Sequence, residues 1–228
     1  MRESDAIVHP ILARCGVAHG FGTRTSKPPS GTFLPRQVHG VAVHHLSVDA
    51  VAVGAIGDVE ADAICTSTPG QSIGIITADC VPILVCNESG QAVLAVHAGW
   101  RGLAQGVIEA GIASLIDQSP ASEKLCAVVG PHVGPCCYEV DAPVLDAMTL
   151  RFGEAAVKGA STATRPGHAR LALGKLALLA LERSGVDEPF RAALDDACTS
   201  CSGSQFHSYR RDGEAAGRMV HFIATSHR

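Results

Sequence analysis

The segment 77–85, TADCVPILV, places an acid and a thiol inside an apolar stretch. Asp79 and Cys80 stand between the apolar runs SIGII and VPILV. A buried acid is costly unless it is paired or neutralised, so Asp79 needs a partner from elsewhere in the chain. Cys80 offers a thiolate, which acts in proteins as a nucleophile or as a metal ligand.

Two histidines are candidates to act with Cys80: His39 in RQVHG and His97 in AVHAG, each near a turn after a strand-like run. Zinc accepts Cys and His ligands, and a catalytic zinc has three protein ligands and one open position. The spacing 39, 80, 97 is far longer than in a zinc finger. From spacing alone, a small buried Cys and ordinary hydrogen-bonded histidines are therefore favoured over a metal site. A third possibility is a metal-free nucleophile–base pair of Cys80 and His97.

The segment 93–106, VLAVHAGWRGLAQG, reads as a strand, a Gly-rich turn and the start of a helix. Ligands of α/β proteins gather beyond the C-terminal ends of strands. Free N–H groups at a helix start attract anions, and Gly99 and Gly102 would let a ligand approach the backbone. Arg101 adds a planar cation suited to phosphate or carboxylate. The alternative is a tight strand–helix turn with a surface arginine.

The segment 206–213, FHSYRRDG, carries the adjacent arginines Arg210 and Arg211. Neighbouring arginines repel each other unless an anion joins them, which favours a phosphate or carboxylate clamp. The alternative is a solvated basic loop.

Two cysteine doublets remain: Cys136–Cys137, and Cys198 with Cys201 in a C-x-x-C motif. A C-x-x-C motif can indicate redox or metal chemistry. This one does not open a helix of a thioredoxin-like unit, and no second C-x-x-C completes a zinc ribbon. We interpret both doublets as structural.

These residues must be positioned by short, β-branched-rich strands and by helices. Near-continuous apolar runs are typical of strands that are buried on both faces. Apolar spacing predicts an amphipathic helix over 102–118, and further helices over 141–152 and 169–185, the last closing at Gly185. The pattern predicts a single α/β domain with mixed sheets and covering helices. The predicted strands are 36–46, 61–67, 72–78, 81–87, 92–98, 124–134 and the end of 208–225.

The composition bounds the class of protein. The 228 residues are 46% hydrophobic and 18% charged, which supplies a sizeable core. A formal net charge of -4 without a long basic run argues against nucleic-acid or anionic-membrane partners. The most apolar late window, LALGKLALLAL, is too short to span a bilayer. With nine cysteines and no secretion signal, we expect a cytoplasmic protein with reduced thiols.

Six segments carry a resemblance to a known family and occur in that family's order: RQVHG, ADAICTSTPG, TADCVPILV, AVHAGWRGLAQGV, GPHVGPCCYEV and SYRRDGEAAGRM. They resemble the laccase-domain family, also described as multicopper polyphenol oxidoreductase, peptidoglycan editing factor or zinc-dependent purine nucleoside phosphorylase. The likeness covers nearly the whole chain from His19 onward, so we expect one domain over 1–228.

The resemblance implies a layered α/β/β/α fold and one site, in which His39, Cys80 and His97 hold Zn²⁺. It further implies phosphorolysis of purine nucleosides such as inosine, adenosine and methylthioadenosine, with adenosine deaminase activity as a second reaction. The partners would then be a purine nucleoside and phosphate.

Phosphorolysis requires an anion clamp beside the sugar, for which Arg24, Arg101 and Arg210 are the candidates. Besides Cys80 and His97, Asp79 is a candidate catalytic residue that would orient a ligand, shuttle a proton or accept backbone N–H bonds. The family usually has a longer segment before Q-V-H-G. Here the segment around 24–36 is shortened. In the family the missing residues form part of the wall of the substrate site, so their loss affects which substrate binds and how strongly.

Three alternative functions follow from the same residues. The first is a Cys–His hydrolase acting on peptidoglycan precursors, and the second is a purine-binding module without catalysis. The third, a copper-dependent polyphenol oxidase, is disfavoured because such enzymes hold several coppers with many histidines, often in His-x-His pairs. This chain has 11 histidines and no His-x-His pair.

Overall fold

The computed structural model describes residues 6–47, 59–120, 122–194 and 197–226. The strands are β1 (Ala18–Gly20), β2 (Val43–His45), β3 (Ala63–Thr66), β4 (Ser72–Thr77), β5 (Val81–Asn87), β6 (Val93–Ala98), β7 (Leu125–Val129), β8 (Glu139–Asp141), β9 (Ser161–Ala163), β10 (His168–Leu171), β11 (Arg191–Ala193) and β12 (Met219–Ala224). The helices are α1 (Pro10–Ala13), α2 (Trp100–Gln105), α3 (Val107–Ile116), α4 (Ala142–Phe152), α5 (Glu154–Gly159), α6 (Leu173–Arg183) and α7 (Tyr209–Asp212), and a 3₁₀ turn covers Gly213–Ala215.

The central sheet has six strands in the order β11-β7-β5-β6-β3-β2. Its two outer pairs are parallel and its inner pairs antiparallel. On β6, Leu94 and Val96 pack against the helices, whereas Val93 and Ala95 pack against the second sheet. Successive side chains of a strand point to opposite faces, so a strand covered on both sides is apolar throughout. The prediction from the apolar runs is confirmed.

Three layers result. The three-stranded sheet β1-β12-β4 covers one face of the central sheet, and α3, α4 and α6 share an apolar core with the other face. A small antiparallel sheet, β8-β10-β9, lies beside α4. This arrangement confirms the predicted α/β fold with mixed sheets. None of the described helices combines the length and the apolar character that a membrane crossing requires.

Two of the predicted helices have different bounds. The helix predicted over 102–118 is two helices, α2 and α3, because Gly106 between them adopts a left-handed φ of 96°. The helix predicted over 169–185 begins later, since 168–171 forms β10 and pairs with β8 and β9. Its predicted end is close: α6 stops at Arg183, and Gly185 has a φ of 85°.

The strand predicted over 36–46 is wrong for most of its length. Only Val43–His45 forms a strand, which pairs in parallel with β3. The preceding residues form a loop whose N–H groups donate to a buried carboxylate instead of to a neighbouring strand. This loop carries His39.

Candidate metal centre

Cys80 lies where the chain passes from the second sheet to the central sheet, between the end of β4 and the start of β5. In the neighbouring strand β6, His97 pairs with Pro82, so Cys80 and His97 come together at one end of the two strands. His97 is on the same side of β6 as Val93 and Ala95, the side that faces the second sheet.

The loop with His39 is fastened to the second sheet by Gln37. Its side-chain amide donates to the Ile76 carbonyl and accepts the Ile76 N–H, both at 2.7 Å. His39 itself has a φ of 60°. Among the described residues other than glycine, only His39 and Asp79 have positive φ. Such conformations cost about 1–3 kcal/mol and concentrate at functional sites.

Asp62, directly before β3, joins two of the three predicted ligands and is fully buried. Its Oδ1 accepts a bond from His97 Nδ1 at 2.8 Å and from the His39 N–H at 2.9 Å. Its Oδ2 accepts the N–H groups of Val38 (3.2 Å) and Gly40 (2.6 Å). The bond to Nδ1 fixes the ring so that Nε2 is the free ligand atom, an arrangement typical of metal-binding histidines.

The three predicted ligands, His39, Cys80 and His97, lie close together in the structure. The ligand atoms of His39, Cys80 and His97 lie within 4.8 Å of one another, with Cys80 Sγ 4.0 Å from His39 Nε2. Zinc with bonds of ordinary length holds N and S ligands about 3.5 Å apart, so a small inward shift closes this set around an ion. His39 is exposed, Cys80 is half-buried and His97 is buried, so the set is open to solvent on the side of His39. These residues fit a metal.

Gly99 makes room for this set. A Cβ at position 99 would lie 3.0 Å from His39 Cδ2 and 3.2 Å from Cys80 Sγ. Gly102 has a similar task, because a Cβ there would lie 2.8 Å from the Gly40 carbonyl. The sequence suggested that the two glycines let an anion approach the backbone. In the structure they instead leave space for the His39 loop and for the Cys80 side chain.

The charges of the trio are linked. Burial raises the pKa of the Cys80 thiol, but hydrogen bonds and charge from His39 and His97 outweigh it and lower that pKa to about 7. Burial lowers the pKa of His97, yet its bonds to Asp62 and Cys80 raise it to about 9. Without a metal, the pair favours a thiolate and an imidazolium.

The trio opens into a cavity of about 910 Å³ at the end of β4 and the start of β5, lined largely by loop residues. Its wall includes Tyr138 from the turn before β8 and Arg210 from α7, with the guanidinium 5.1 Å from the ring centre. Burial and the nearby Cys80 raise the pKa of Tyr138 to about 12, so this phenol stays a neutral hydrogen-bond donor. Arg36 and Arg218 also line the cavity.

Asp79, the acid in the apolar segment, now has its partners. One carboxylate oxygen accepts the Thr199 hydroxyl at 2.5 Å, and the other accepts the backbone N–H of Arg210 at 2.5 Å. The Asp79 carbonyl accepts the Val133 N–H at 3.0 Å. Asp79 therefore connects the wall segments of Val133 and Arg210 with the turn of Thr199, and of the three roles considered for it, accepting N–H bonds matches these contacts.

The three predicted anion ligands are placed differently. Arg210 lines the cavity. Arg24 is exposed and donates to the Gly203 carbonyl at 3.0 Å, and Arg101 is exposed with its guanidinium 4.5 Å from the Trp100 ring centre. Neither is part of the cavity lining. A role of these two in phosphate binding stays a prediction.

The comparison with known proteins assigns the family. Residues 20–226 match the family model described as multi-copper polyphenol oxidoreductase laccase. The chain belongs to this family. The purine nucleoside phosphorylase YfiH of Shigella flexneri is 38% identical over 196 residues, which are 86% of this chain and 74% of that protein. The solved structure of YlmD from Geobacillus stearothermophilus has a TM-score of 0.84 at 26% identity, covering 99% of this chain and 98% of YlmD.

A third similar protein, the Neisseria meningitidis protein NMB0706, has a TM-score of 0.73 at 35% identity. That comparison covers 86% of this chain and 76% of NMB0706.

The laccase family's description names several coppers. In the described part of this chain, however, the only groups of three or more close potential ligands are the His39–Cys80–His97 set and a set of four cysteines. Neither of the described methionines, Met148 and Met219, lines the cavity, where a blue-copper site would have its weak axial ligand.

Asp62, Tyr138, Arg36 and Arg218 are site residues that the sequence did not reveal. Asp62 carried a signal: like Asp79, it is an acid beside an apolar strand, in the segment ADAICTS. The other three lie in loops and in a short helix connection, where no periodicity marks which side chain faces inward.

Proposed function

We propose that this protein is a zinc-dependent purine nucleoside phosphorylase acting on nucleosides such as inosine, adenosine and methylthioadenosine. One observation carries the proposal: the His39–Cys80–His97 set, the Arg210 cation and the Tyr138 ring all face one cavity. Relatives that are named purine nucleoside phosphorylase, at up to 39% identity, support it.

His39, Cys80 and His97 would hold the zinc, and this ion would supply a Lewis acid for phosphorolysis or for a second, adenosine deaminase activity. Asp62 keeps His97 in the tautomer that leaves Nε2 free. Copper is the disfavoured alternative metal, because the described residues offer one mixed His–Cys set and no His-rich cluster.

Phosphate binding would depend on Arg210, whose planar guanidinium suits phosphate oxygens. Arg218 donates to the carbonyls of Ala216 and Gly217 and adds a second cation to the cavity wall. The Tyr138 ring offers an aromatic surface for a purine, and its neutral hydroxyl a donor. Asp79 is a positioning residue, because its bond to the Arg210 N–H fixes where that side chain begins.

The test is an assay of the purified, zinc-loaded chain on inosine with and without phosphate. We expect phosphate-dependent release of hypoxanthine, lost in Cys80→Ala and His97→Ala. Cys86→Ala is the matched control, since Cys86 is a fully buried thiol in the core between the sheets and outside the cavity lining. If no purine nucleoside releases its base under these conditions, the phosphorylase proposal fails. Nucleoside binding without turnover would then support a binding module.

A Cys–His hydrolase is the second candidate, and a specific geometry favours it. Cys80, His97 and Asp62 form a chain of thiol, imidazole and carboxylate, in which Asp62 orients His97 through a 2.8 Å bond. Unrelated hydrolases use such a triad. The proposals differ in the state of Cys80. A zinc-bound thiolate resists iodoacetamide until a chelator is added, whereas a free nucleophile is alkylated at once with loss of activity.

A further inference from the structure

The two cysteine doublets, separate in the sequence, meet in the structure. Cys136 and Cys137 lie in a turn between β7 and β8, and Cys198 and Cys201 in a turn before α7. All four sulfurs lie within 4.8 Å of one another. Cys201 Sγ is 3.4 Å from Cys136 Sγ and 3.2 Å from Cys137 Sγ. We call these four residues the tetracysteine cluster.

The distances in the cluster match one ion held by four sulfurs. Zinc bound tetrahedrally with bonds of about 2.3 Å holds its sulfurs about 3.8 Å apart, longer than the 3.2 Å between Cys137 and Cys201 and within the 4.8 Å limit on all separations in the cluster. A disulfide would require a sulfur–sulfur distance of about 2.0 Å, and all nine cysteines are free. An iron–sulfur cluster would separate the sulfurs further, because its cysteines bind different iron atoms.

The surroundings of the sulfurs also suit a metal thiolate. The Gly134 N–H donates to Cys198 Sγ at 3.2 Å, a bond that stabilises negative charge on the sulfur. A Cβ at Gly134 would lie 3.2 Å from Cys198 Cβ and 3.3 Å from Cys136 Sγ, so the turn is packed closely around the sulfurs. Cys136 and Cys201 are exposed, which gives an ion a route in from solvent.

We propose that the tetracysteine cluster is a second zinc site, in which Cys136, Cys137, Cys198 and Cys201 bind one Zn²⁺ as thiolates. A site with four protein sulfurs has no open position and is structural. This proposal does not depend on the proposed nucleoside chemistry.

The site would hold two segments of the cavity wall in place. Tyr138 directly follows Cys137, and Thr199, whose hydroxyl donates to Asp79, directly follows Cys198. The Thr199 N–H also donates to the His132 carbonyl at 3.0 Å, which joins the same two segments. A metal here would crosslink parts of the chain about 60 residues apart at the point where they position these wall residues.

Native mass spectrometry of the full chain, purified with zinc and a thiol reductant, tests the proposal. We expect two zinc ions per wild-type chain, one in the double variant Cys136→Ser/Cys201→Ser, and one in Cys80→Ser. Cys86→Ser, the control, should keep two. The double variant changes only the exposed cysteines, and circular dichroism checks that it folds.

A wild-type chain without zinc would overturn the proposal, and so would a single zinc that is lost in Cys80→Ser and kept in the double variant. Retention of two ions by the double variant would do the same. A mass lowered by about 2 Da under denaturing, non-reducing conditions would assign a disulfide to the cluster instead. Iron in place of zinc at these sulfurs would refute the choice of metal. Because Cys80→Ser reports on the other site separately, a failure there leaves the tetracysteine result readable.

Discussion

Asp62→Asn should weaken zinc binding at the His39–Cys80–His97 set without changing any ligand. The Asp62 carboxylate accepts four hydrogen bonds, two at each oxygen. An Asn side chain replaces one of these oxygens with an NH₂ donor. Whichever way the amide is turned, two of these four groups face an NH₂ group in place of an oxygen.

The two orientations have different consequences. If the amide oxygen stays near His97, the N–H groups of Val38 and Gly40 face an NH₂ group, and the His39 loop loses its anchor. If the NH₂ group faces His97, Nδ1 becomes the acceptor and the ring proton moves to Nε2, which then cannot bind a metal. Each buried donor without an acceptor costs about 1–3 kcal/mol in stability; the first orientation leaves two such donors and the second leaves one, the His39 N–H. Loss of such a supporting carboxylate costs about 10–100-fold in metal affinity, or about 1.4–2.8 kcal/mol.

The assay must report on Cys80 alone. Iodoacetamide labelling of the Cys80 peptide, followed by mass spectrometry over a range of buffered free zinc, gives the zinc concentration that half-protects the thiol. We expect this midpoint to rise about 10–100-fold in Asp62→Asn. Asp79→Asn is the matched control, because Asp79 is also buried but bonds to Thr199 and to the Arg210 backbone, not to a ligand ring. A midpoint unchanged in Asp62→Asn would refute the role assigned to this carboxylate.

Three further predictions use the same structure. Gly99→Ala should weaken zinc protection of Cys80 about tenfold because its Cβ presses on two ligands, whereas Gly159→Ala, whose Cβ meets nothing within 4 Å, should not. Burial lowers the pKa of His221 to about 3, so below pH 6.5 the unfolded chain binds a proton that the folded chain does not. As the pH falls, the free energy of unfolding of the chelator-treated wild type, measured by urea titration, should decrease by up to about 1.4 kcal/mol per pH unit more than that of His221→Gln. Equal dependence on pH in the two proteins would contradict this prediction. Arg210→Gln should raise the KM for phosphate at least about tenfold, because one charged hydrogen bond is lost, and should change the KM for inosine less. Arg183 lies outside the cavity lining, so an equal effect of Arg183→Gln would count against a specific role of Arg210.

The fold was predictable where burial left a simple pattern in the sequence. The runs that became β4, β5 and β6 are apolar on both faces, so their residue types alone indicate buried strands. The helix break at Gly106 was not predictable, because apolar spacing continues across it and only the left-handed backbone ends α2. The loop around His39 has β-branched residues typical of a strand, but bonds to a distant carboxylate outweigh that preference.

The candidate site also contains residues that the sequence suggested and residues that it did not. Residue types suggested His39, Cys80 and His97, and the family resemblance made them a set. Strand pairing brings Cys80 to His97, whereas His39 arrives on a loop bonded to Asp62. Cavity residues such as Tyr138 and Arg218 depend on long-range loop placement, which no local pattern encodes. The tetracysteine cluster was missed for the same reason: its doublets are far apart in sequence, and neither is a zinc motif alone.

The two buried acids do little to oppose phosphate binding at the proposed site. Asp62 faces away from the cavity towards four donors, and both oxygens of Asp79 are occupied by Thr199 and the Arg210 N–H. Such hydrogen bonds stabilise the carboxylate charges and weaken the negative field that an entering anion meets. Arg210 and Arg218 then dominate the field that phosphate meets, because the third cation of the wall, Arg36, is paired with Glu60 at 2.5 Å. In the proposed function, Asp79 of TADCVPILV would therefore assist anion binding indirectly, because it holds the backbone from which Arg210 extends.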